Sequence, residues 1–297
     1  MNFEAVDIVI LGHLAKDIID IDGKSYESLG GTVYYGGIAG SHMGLKIAII
    51  TKLNEADYPL LNIFKKNGVA YYVSTSKETS GLKNIISSKN MESREYKPIG
   101  FAGLFSKEEI PLFNPPPKFF VIGPITAGEI DLELLDYLKN KYTNLCLDIQ
   151  GFVRFSDNGK VFYSSISLEE KKKILSNVNV LKIDQTEAKV LTNHQDIKEA
   201  AKELAEFGVN EILITHEKGV SVFTSDVLLT FPWKNRKIVG RTGRGDTAFI
   251  SYLGSRLTKN PEDSLKFATA LTSLKLESTG PFDRPLYQVE ELIKKEY

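Results

Sequence analysis

Seven short runs, each almost wholly apolar, recur along the chain at spacings that mostly leave room for a helix between them. They are VDIVILG (6–12), KIAIIT (46–51), VAYYV (69–73), KFFVIG (118–123), LCLDI (145–149), VNVLKI (178–183) and EILIT (211–215). None shows the in-and-out alternation of a strand with one wet face, so both faces must be covered, as in a parallel sheet between two helical layers. Helix-period stretches fall between them at Thr32–Met43, Tyr58–Asn67, Leu132–Lys141, Leu168–Ser176, Thr186–Thr192 and Asp196–Phe207. The last puts Ile197, Ala200, Ala201, Leu204 and Ala205 on one face. Strand–helix alternation with right-handed crossovers predicts a doubly wound α/β sandwich.

Two segments depart from this rhythm. IIDIDGKSYESL (18–29) alternates apolar and polar residues around Asp22-Gly23, a hairpin signal. Residues 81–103 read as two more strands around a polar turn at Lys89-Asn90. Neither has a helix to cover it, which predicts a small antiparallel sheet standing off the main body; an exposed meander without a role is the competing reading. Pro115-Pro116-Pro117 reads as a stiff entry into a strand.

Charge and composition exclude several classes. The 297 residues carry 37 Lys+Arg against 38 Asp+Glu, a net charge of -1, so no global field holds nucleic acid or an anionic membrane. Any anion site must be local. The one cysteine, Cys146, rules out an internal disulfide framework and a Cys-rich zinc site, and its setting (NLCLDI) reads as a small buried hydrophobe. The start, MNFEAVDIVILGH, lacks the basic region of a signal peptide, and no run reaches the ~18 apolar residues of a membrane helix. A cytoplasmic protein is expected.

The stretch KIVGRTGRGDTAFISYLGSRL (237–257) carries the most chemistry. Two glycines ahead of a helix expected from about Thr247 allow a tight turn that gathers N–H groups at one spot. The helix adds its own unsatisfied amides and the positive end of its dipole. Such a nest binds an anion without side-chain charge. Asp246 at its mouth has two readings: a base that takes the proton of a hydroxyl attacking a bound phosphate, or a plain helix N-cap. Arg244-Gly245-Asp246 as an adhesion tripeptide needs a secreted, exposed loop, and the secretory signal is missing. No G-x-x-x-x-G-K-[ST] occurs, and the first strand ends in Gly12-His13-Leu14-Ala15, not in a dinucleotide fingerprint.

These residues resemble the ribokinase-like (PfkB) carbohydrate kinases, over essentially the whole chain. TGRGDTAF (242–249) is similar to the family's C-terminal signature. The resemblance implies Asp246 as general base and Gly243, Arg244, Gly245 and Asp246 as a backbone anion hole. Arg244 stands where the family often has a small residue, and either reaches a phosphate or points to solvent. LGGTVYYGGIAGSHMGLKIAIITKL (29–53) is similar to the N-terminal signature, with Gly30-Gly31 as lid hinge beside the substrate and Tyr35 near a frequent Asn. In GHLAKDIIDI (12–21) Asp17 matches the substrate-binding Asp, while Ala15 replaces the Asn of ribokinase.

KIDQTEAKVLT (182–192) resembles the N-x-x-E motif, with Asp184 for Asn and Glu187 matching, which implies a water-mediated Mg²⁺ near the phosphates. On the residues alone the pair is an N-cap and its capping-box partner. The likeness of ITHEKGVSVF (214–223) implies a nucleotide side made by Thr215, Lys218, Gly219, Thr242 and Gly280, with adenine between that hairpin and the helix at 267–282. The loop Asp that begins ribokinase's monovalent-cation site corresponds to Gly240, so potassium activation is not expected. LDIQGFVRF (147–155), with Gln150 and Arg154, together with GPI (123–125) and STGPF (278–282), is similar to the inositol-kinase-like branch.

The family implies one kinase domain over 1–297: a three-layer sandwich with a central, mostly parallel sheet and a small β-sheet lid from about 15–31 and 74–103. It implies ATP as donor, Mg²⁺, a hydroxyl of a small sugar or polyol as acceptor, no nucleic acid or membrane partner, and a homodimer through uncovered lid strands. Two alternatives stand beside it. One is a nucleoside kinase of the same fold, in which Tyr34, Tyr35 or Phe101 stacks on a base. The other is a catalytically silent sugar-binding protein, against which the joint presence of Asp17, Glu187, Gly243, Gly245 and Asp246 argues.

Overall fold

The apolar runs become strands in a computed structural model that describes residues 5–88 and 90–297, the side chains of 90–94 excepted. In chain order β1 (Ile8–Leu11) is followed by β2 (Ala15–Ile21), β3 (Lys24–Gly30), α1 (Thr32–His42), β4 (Ile47–Leu53), α2 (Asn62–Lys66) and β5 (Ala70–Thr75). Then come β6 (Gly81–Ser87), β7 (Asn90–Gly100), β8 (Phe119–Ile122), α3 (Leu132–Lys141), β9 (Leu145–Asp148) and α4 (Gln150–Val153). The middle of the chain adds β10 (Arg154–Asp157), β11 (Lys160–Tyr163), α5 (Leu168–Leu175), β12 (Val180–Asp184), α6 (Gln185–Thr192) and α7 (Ile197–Ala205). It closes with β13 (Glu211–His216), β14 (Gly219–Thr224), β15 (Val227–Pro232), α8 (Arg244–Arg256), α9 (Pro261–Leu276) and α10 (Leu286–Glu296).

The main sheet runs β15-β14-β13-β12-β9-β8-β1-β4-β5, parallel from β13 to β5 with an antiparallel hairpin at one edge. Its two faces sort by residue parity, as a pleat requires. Val9 and Leu11 of β1 join the core under α3, α5, α6 and α7, while Ile8 and Ile10 join the core under α1, α8 and α9. Cys146 is buried and free among them. No helix among the described residues is long and apolar enough to cross a membrane.

The small sheet has the order β3-β2-β6-β7. It is two antiparallel hairpins joined by one parallel pair, β2 with β6, because both excursions leave the body in the same direction. The turn expected at Lys89-Asn90 falls on Lys89, outside the described residues, as do residues 1–4. A further hairpin, β10–β11, was not expected, although Asn158-Gly159 is a strong turn signal between its strands. The helix expected over Tyr58–Asn67 is a 3₁₀ turn at Glu55–Leu61 containing Pro59, then the short α2, since proline withholds a helical N–H. The last correction moves the start of α8 from Thr247 to Arg244, with Gly243 as N-cap at φ 78°.

Candidate active site

A polar cavity opens at the C-terminal ends of β8, β9, β12 and β13, roofed by the lid, the usual place for a ligand in a doubly wound sheet. Two helices begin at its wall. Gly31 caps α1 at φ 90°, and a Cβ there would land on the His13 carbonyl. Gly243 caps α8 in the left-handed region, and a Cβ there would land on the buried Tyr35 ring. Each cap needs glycine for both conformation and space. Thr32, first residue of α1, donates its hydroxyl to Asp246 Oδ1 at 2.6 Å, so the two positive helix ends converge on one carboxylate.

Asp246 is therefore not the N-cap. It stands in the first turn of α8, beyond Gly243, and its carboxylate faces the cavity. Thr247 N donates to Gly243 O at 2.9 Å, which closes the first α-helical turn around the nest. Arg244 lines the same cavity, nearly fully buried, its guanidinium 5.8 Å from the Trp233 ring centre, so the solvent-facing alternative fails.

Beneath the nest lies a buried ammonium. A Cβ on Gly245 would stand 2.9 Å from Lys182 Cε and 3.3 Å from Nζ. Lys182 is paired with Asp148 at 2.9 Å and lies 3.9 Å from Glu187. Burial alone would lower the Lys182 pKa, but Asp148, Glu187 and Asp246 outweigh it and hold the amine charged well above its ordinary range. The acids answer in the opposite sense. Burial raises Asp148 despite Lys182, and burial together with Asp184 pushes Glu187 up to about 8.

Asp184 and Glu187 form the capping box of α6: Glu187 N donates to Asp184 Oδ1 at 2.8 Å, and Asp184 N to Glu187 Oε2 at 2.7 Å. Asp184 also lines the cavity, whereas Glu187 sits behind it, fully buried, with Oε1 unpartnered. Among the described residues no cluster of three or more acidic, His or Cys side chains could hold a metal alone. One cavity carboxylate with an orphaned oxygen behind it does suit Mg²⁺, which keeps most of its waters and takes other ligands from phosphates.

The small sheet supplies the far end of the cavity. Asp17 Oδ1 accepts from Leu82 N at 2.8 Å, and a Cβ on Gly30 would land on Asp17 Oδ2, so this glycine makes room for the carboxylate. Asn84 lines the cavity nearly fully buried, across from Tyr96 in the β6–β7 ladder. Arg154 lies 5.4 Å over the Tyr96 ring, and its Nε donates to Ile125 O at 2.8 Å. Gln150 Nε2 shares that carbonyl at 3.3 Å.

Of the expected site residues, Asp17, Gly30, Gly31, Tyr35, Asp184, Thr215, Thr242, Gly243, Arg244, Gly245 and Asp246 line this one cavity. Lys218, Gly219 and Gly280 do not. Lys218 is exposed in the hairpin turn, Gly219 is packed against the Phe231 carbonyl, and Gly280 faces open space at φ 81°. The segment after β15 folds over that side: Trp233 N and Nε1 donate to Lys218 O at 3.1 Å and His216 O at 3.0 Å, and Lys234 N to Ser273 Oγ at 2.9 Å. Thr32, Asn84, Tyr96, Lys182 and Arg241 also line the cavity and were missed. Two carried a signal: Lys182 sits inside an apolar strand run, and Asn84 lies at an inward position between Leu82 and Ile86.

A family model described as pfkB family carbohydrate kinase matches residues 135–285. A solved pyrophosphate-dependent kinase in the ribokinase family, complexed with a pyrophosphate analog and myo-inositol, is 32% identical with a TM-score of 0.87, over 96% of this chain and 99% of that one. Ribokinase from Thermotoga maritima shares the fold at 18% identity and a TM-score of 0.75, over 97% and 99% of the two chains. Cytidine kinase of Thermococcus kodakarensis is 27% identical over 251 residues, 81% of this chain and 85% of that protein.

Proposed function

The chain belongs to the pfkB family of carbohydrate kinases, and we propose that it moves a phosphoryl group from inorganic pyrophosphate to a hydroxyl of a small cyclic polyol of the inositol type. The observation that carries the reading is the convergence on Asp246 of two helix N-termini, with Lys182 under the intervening nest. A hydroxyl held by Asp17 and its neighbours attacks the near phosphorus. Its proton passes to Asp246, the new O–P bond forms, the bridging P–O bond breaks and orthophosphate leaves. The Gly243–Gly245 amides and Lys182 hold the transferring charge, and the lid excludes water. Asp184 would hold Mg²⁺ through its waters, with Glu187 behind, where the ion supplies further positive charge to the phosphates.

This donor departs from the ATP expected on sequence. Adenine was to lie between the 214–223 hairpin and the 267–282 helix. Trp233 and Lys234 lace those two together, while Arg241 and Arg244 offer guanidinium groups to bare phosphate. A pyrophosphate-dependent relative at 32% identity supports the same choice. Myo-inositol in that relative, and the polar set Asp17, Asn84, Gln150 and Arg154 here, support a polyol acceptor.

The cytidine kinase likeness favours a nucleoside as the second reading. Against it, Tyr34 and Phe101 lie outside the cavity and Tyr35 is covered by Gly243 and Lys275. The test is ³¹P NMR of product from myo-inositol, ribose and cytidine, each with pyrophosphate or ATP. Inositol phosphate formed faster with pyrophosphate is expected. Faster turnover with ATP overturns the donor, and faster turnover of cytidine overturns the acceptor.

A further inference from the structure

Lys275, on α9, is 1% exposed, and the mechanism above gives it no task. Its Nζ donates to Gly240 O at 2.8 Å and also to Thr242 O, and lies 5.1 Å from the centre of the Tyr35 ring. Two carbonyl oxygens and an aromatic face are what a bare monovalent cation seeks. The chain fills that place with an ammonium tethered to a core helix.

The carbonyls it holds belong to the segment that enters the nest. In a planar trans peptide the C=O and the following N–H point in opposite directions. With Thr242 C=O held toward α9, the Gly243 N–H of the same peptide must point away from α9. Tyr35, under the ammonium, also forms the floor on which Gly243 rests. We propose that Lys275 is a positioning residue that sets the anion hole: a built-in cation that fixes the 240–243 backbone so the Gly243 amide meets the transferring phosphate, and so removes any need for a soluble monovalent ion. This rests on the phosphoryl-transfer reading of the site, and not on which phosphate is the donor.

The experiment uses the full chain with myo-inositol and whichever of pyrophosphate or ATP the wild type consumes, so a wrong donor does not touch this proposal. Wild-type rate should be the same in potassium, sodium or lithium chloride. Lys275→Met, which keeps volume and loses charge, should lower kcat by about 10²-fold, the loss seen when one anion-hole donor is removed, with little change in the KM for myo-inositol. Lys275→Ala, which opens the space, should regain rate on addition of potassium or methylammonium but not of the bulkier tetramethylammonium. A purely structural lysine would give variants with a lowered melting temperature and no such selective rescue. Retention of wild-type kcat in Lys275→Met, or a kcat loss in Lys275→Ala that neither cation restores, overturns the proposal.

Discussion

Replacing Asp246 by Asn separates proton acceptance from every other task of that position. The substitution is nearly isosteric, and its carbonyl oxygen can still accept the Thr32 hydroxyl now 2.6 Å from Oδ1, so the joint between α1 and α8 should hold. The Asp246 charge acts on stability in both directions: it adds to the repulsion that raises Asp148, and it helps hold Lys182 charged beside two positive helix ends. In the proposed mechanism what is lost is the base. General-base catalysis contributes about 10²–10⁴ in rate, or roughly 3–5 kcal/mol of barrier at ~1.4 kcal/mol per decade. The expected variant stays folded with a melting temperature within several degrees of wild type, binds pyrophosphate by calorimetry with little change, and forms inositol phosphate at least about 10²-fold more slowly. A folded Asp246→Asn protein with kcat within a few-fold of wild type would show that the carboxylate takes no proton, and the chemistry drawn around it would fall.

Gly243→Ala forces a β-carbon onto the Tyr35 ring at φ 78°; strain of ~1–3 kcal/mol plus displacement of the ring should lower the melting temperature by several degrees and reduce kcat more than KM, as thermal denaturation and steady-state rates would register. Glu187 is raised in the folded state to about 8 from 4.5, so it keeps its proton where the unfolded chain has lost it. The stability this lends is complete below pH ~4.5 and gone once pH passes ~8, so melting temperature should decline across that window, and Glu187→Gln should flatten the decline. Among the described residues no strand pairs with the outer edge of β3, where Lys24, Ser25, Tyr26 and Glu27 are exposed, and it should pair with a second copy; sedimentation at high concentration reads a dimer if so, and Ser25→Pro should dissociate it.

The parts of this molecule visible in the sequence are those with a local physical cause. A strand covered on both faces is apolar at nearly every position away from a site, so β1, β4, β8, β9, β12 and β13 announced themselves. A backbone that needs glycine shows glycine, which exposed Gly30, Gly31, Gly243 and Gly245. Residues recruited across the fold had no such mark. Thr32 meets Asp246 over 214 positions, and Lys275 reaches Gly240 from a helix whose small-residue stripe looked like plain packing. The start of α8 was misplaced because Arg244-Gly245-Asp246 reads as turn; only its fit over Lys182 and Tyr35 makes it helix. On the expected nucleotide side Thr215 and Thr242 do line the cavity, and Lys218, Gly219 and Gly280 lie outside it because nothing in PWK (232–234) says that tryptophan and lysine will close the hairpin onto α9.

The site also explains how a chain of net charge -1 can hold a dense polyanion. Around the cavity the side chains are Arg154, Lys182, Arg241 and Arg244 against Asp17, Asp184 and Asp246, close to balance. A near-neutral wall would not concentrate phosphate over long range, so attraction must come from fixed dipoles. The amides at the starts of α1 and α8 are oriented by helices anchored in the core, and they need no reorganisation as charge moves from one phosphate to the other. The charged groups then divide the remaining work by depth. In the proposed reaction Asp17 and Asp246 serve the hydroxyl and Arg241 and Arg244 the donor phosphates, while Lys182 is locked below by Asp148 so that its charge cannot be drawn off into water. An ammonium free to move would bind ground state and transition state alike; one pinned at 2.9 Å to a buried carboxylate can favour only the geometry for which it was set.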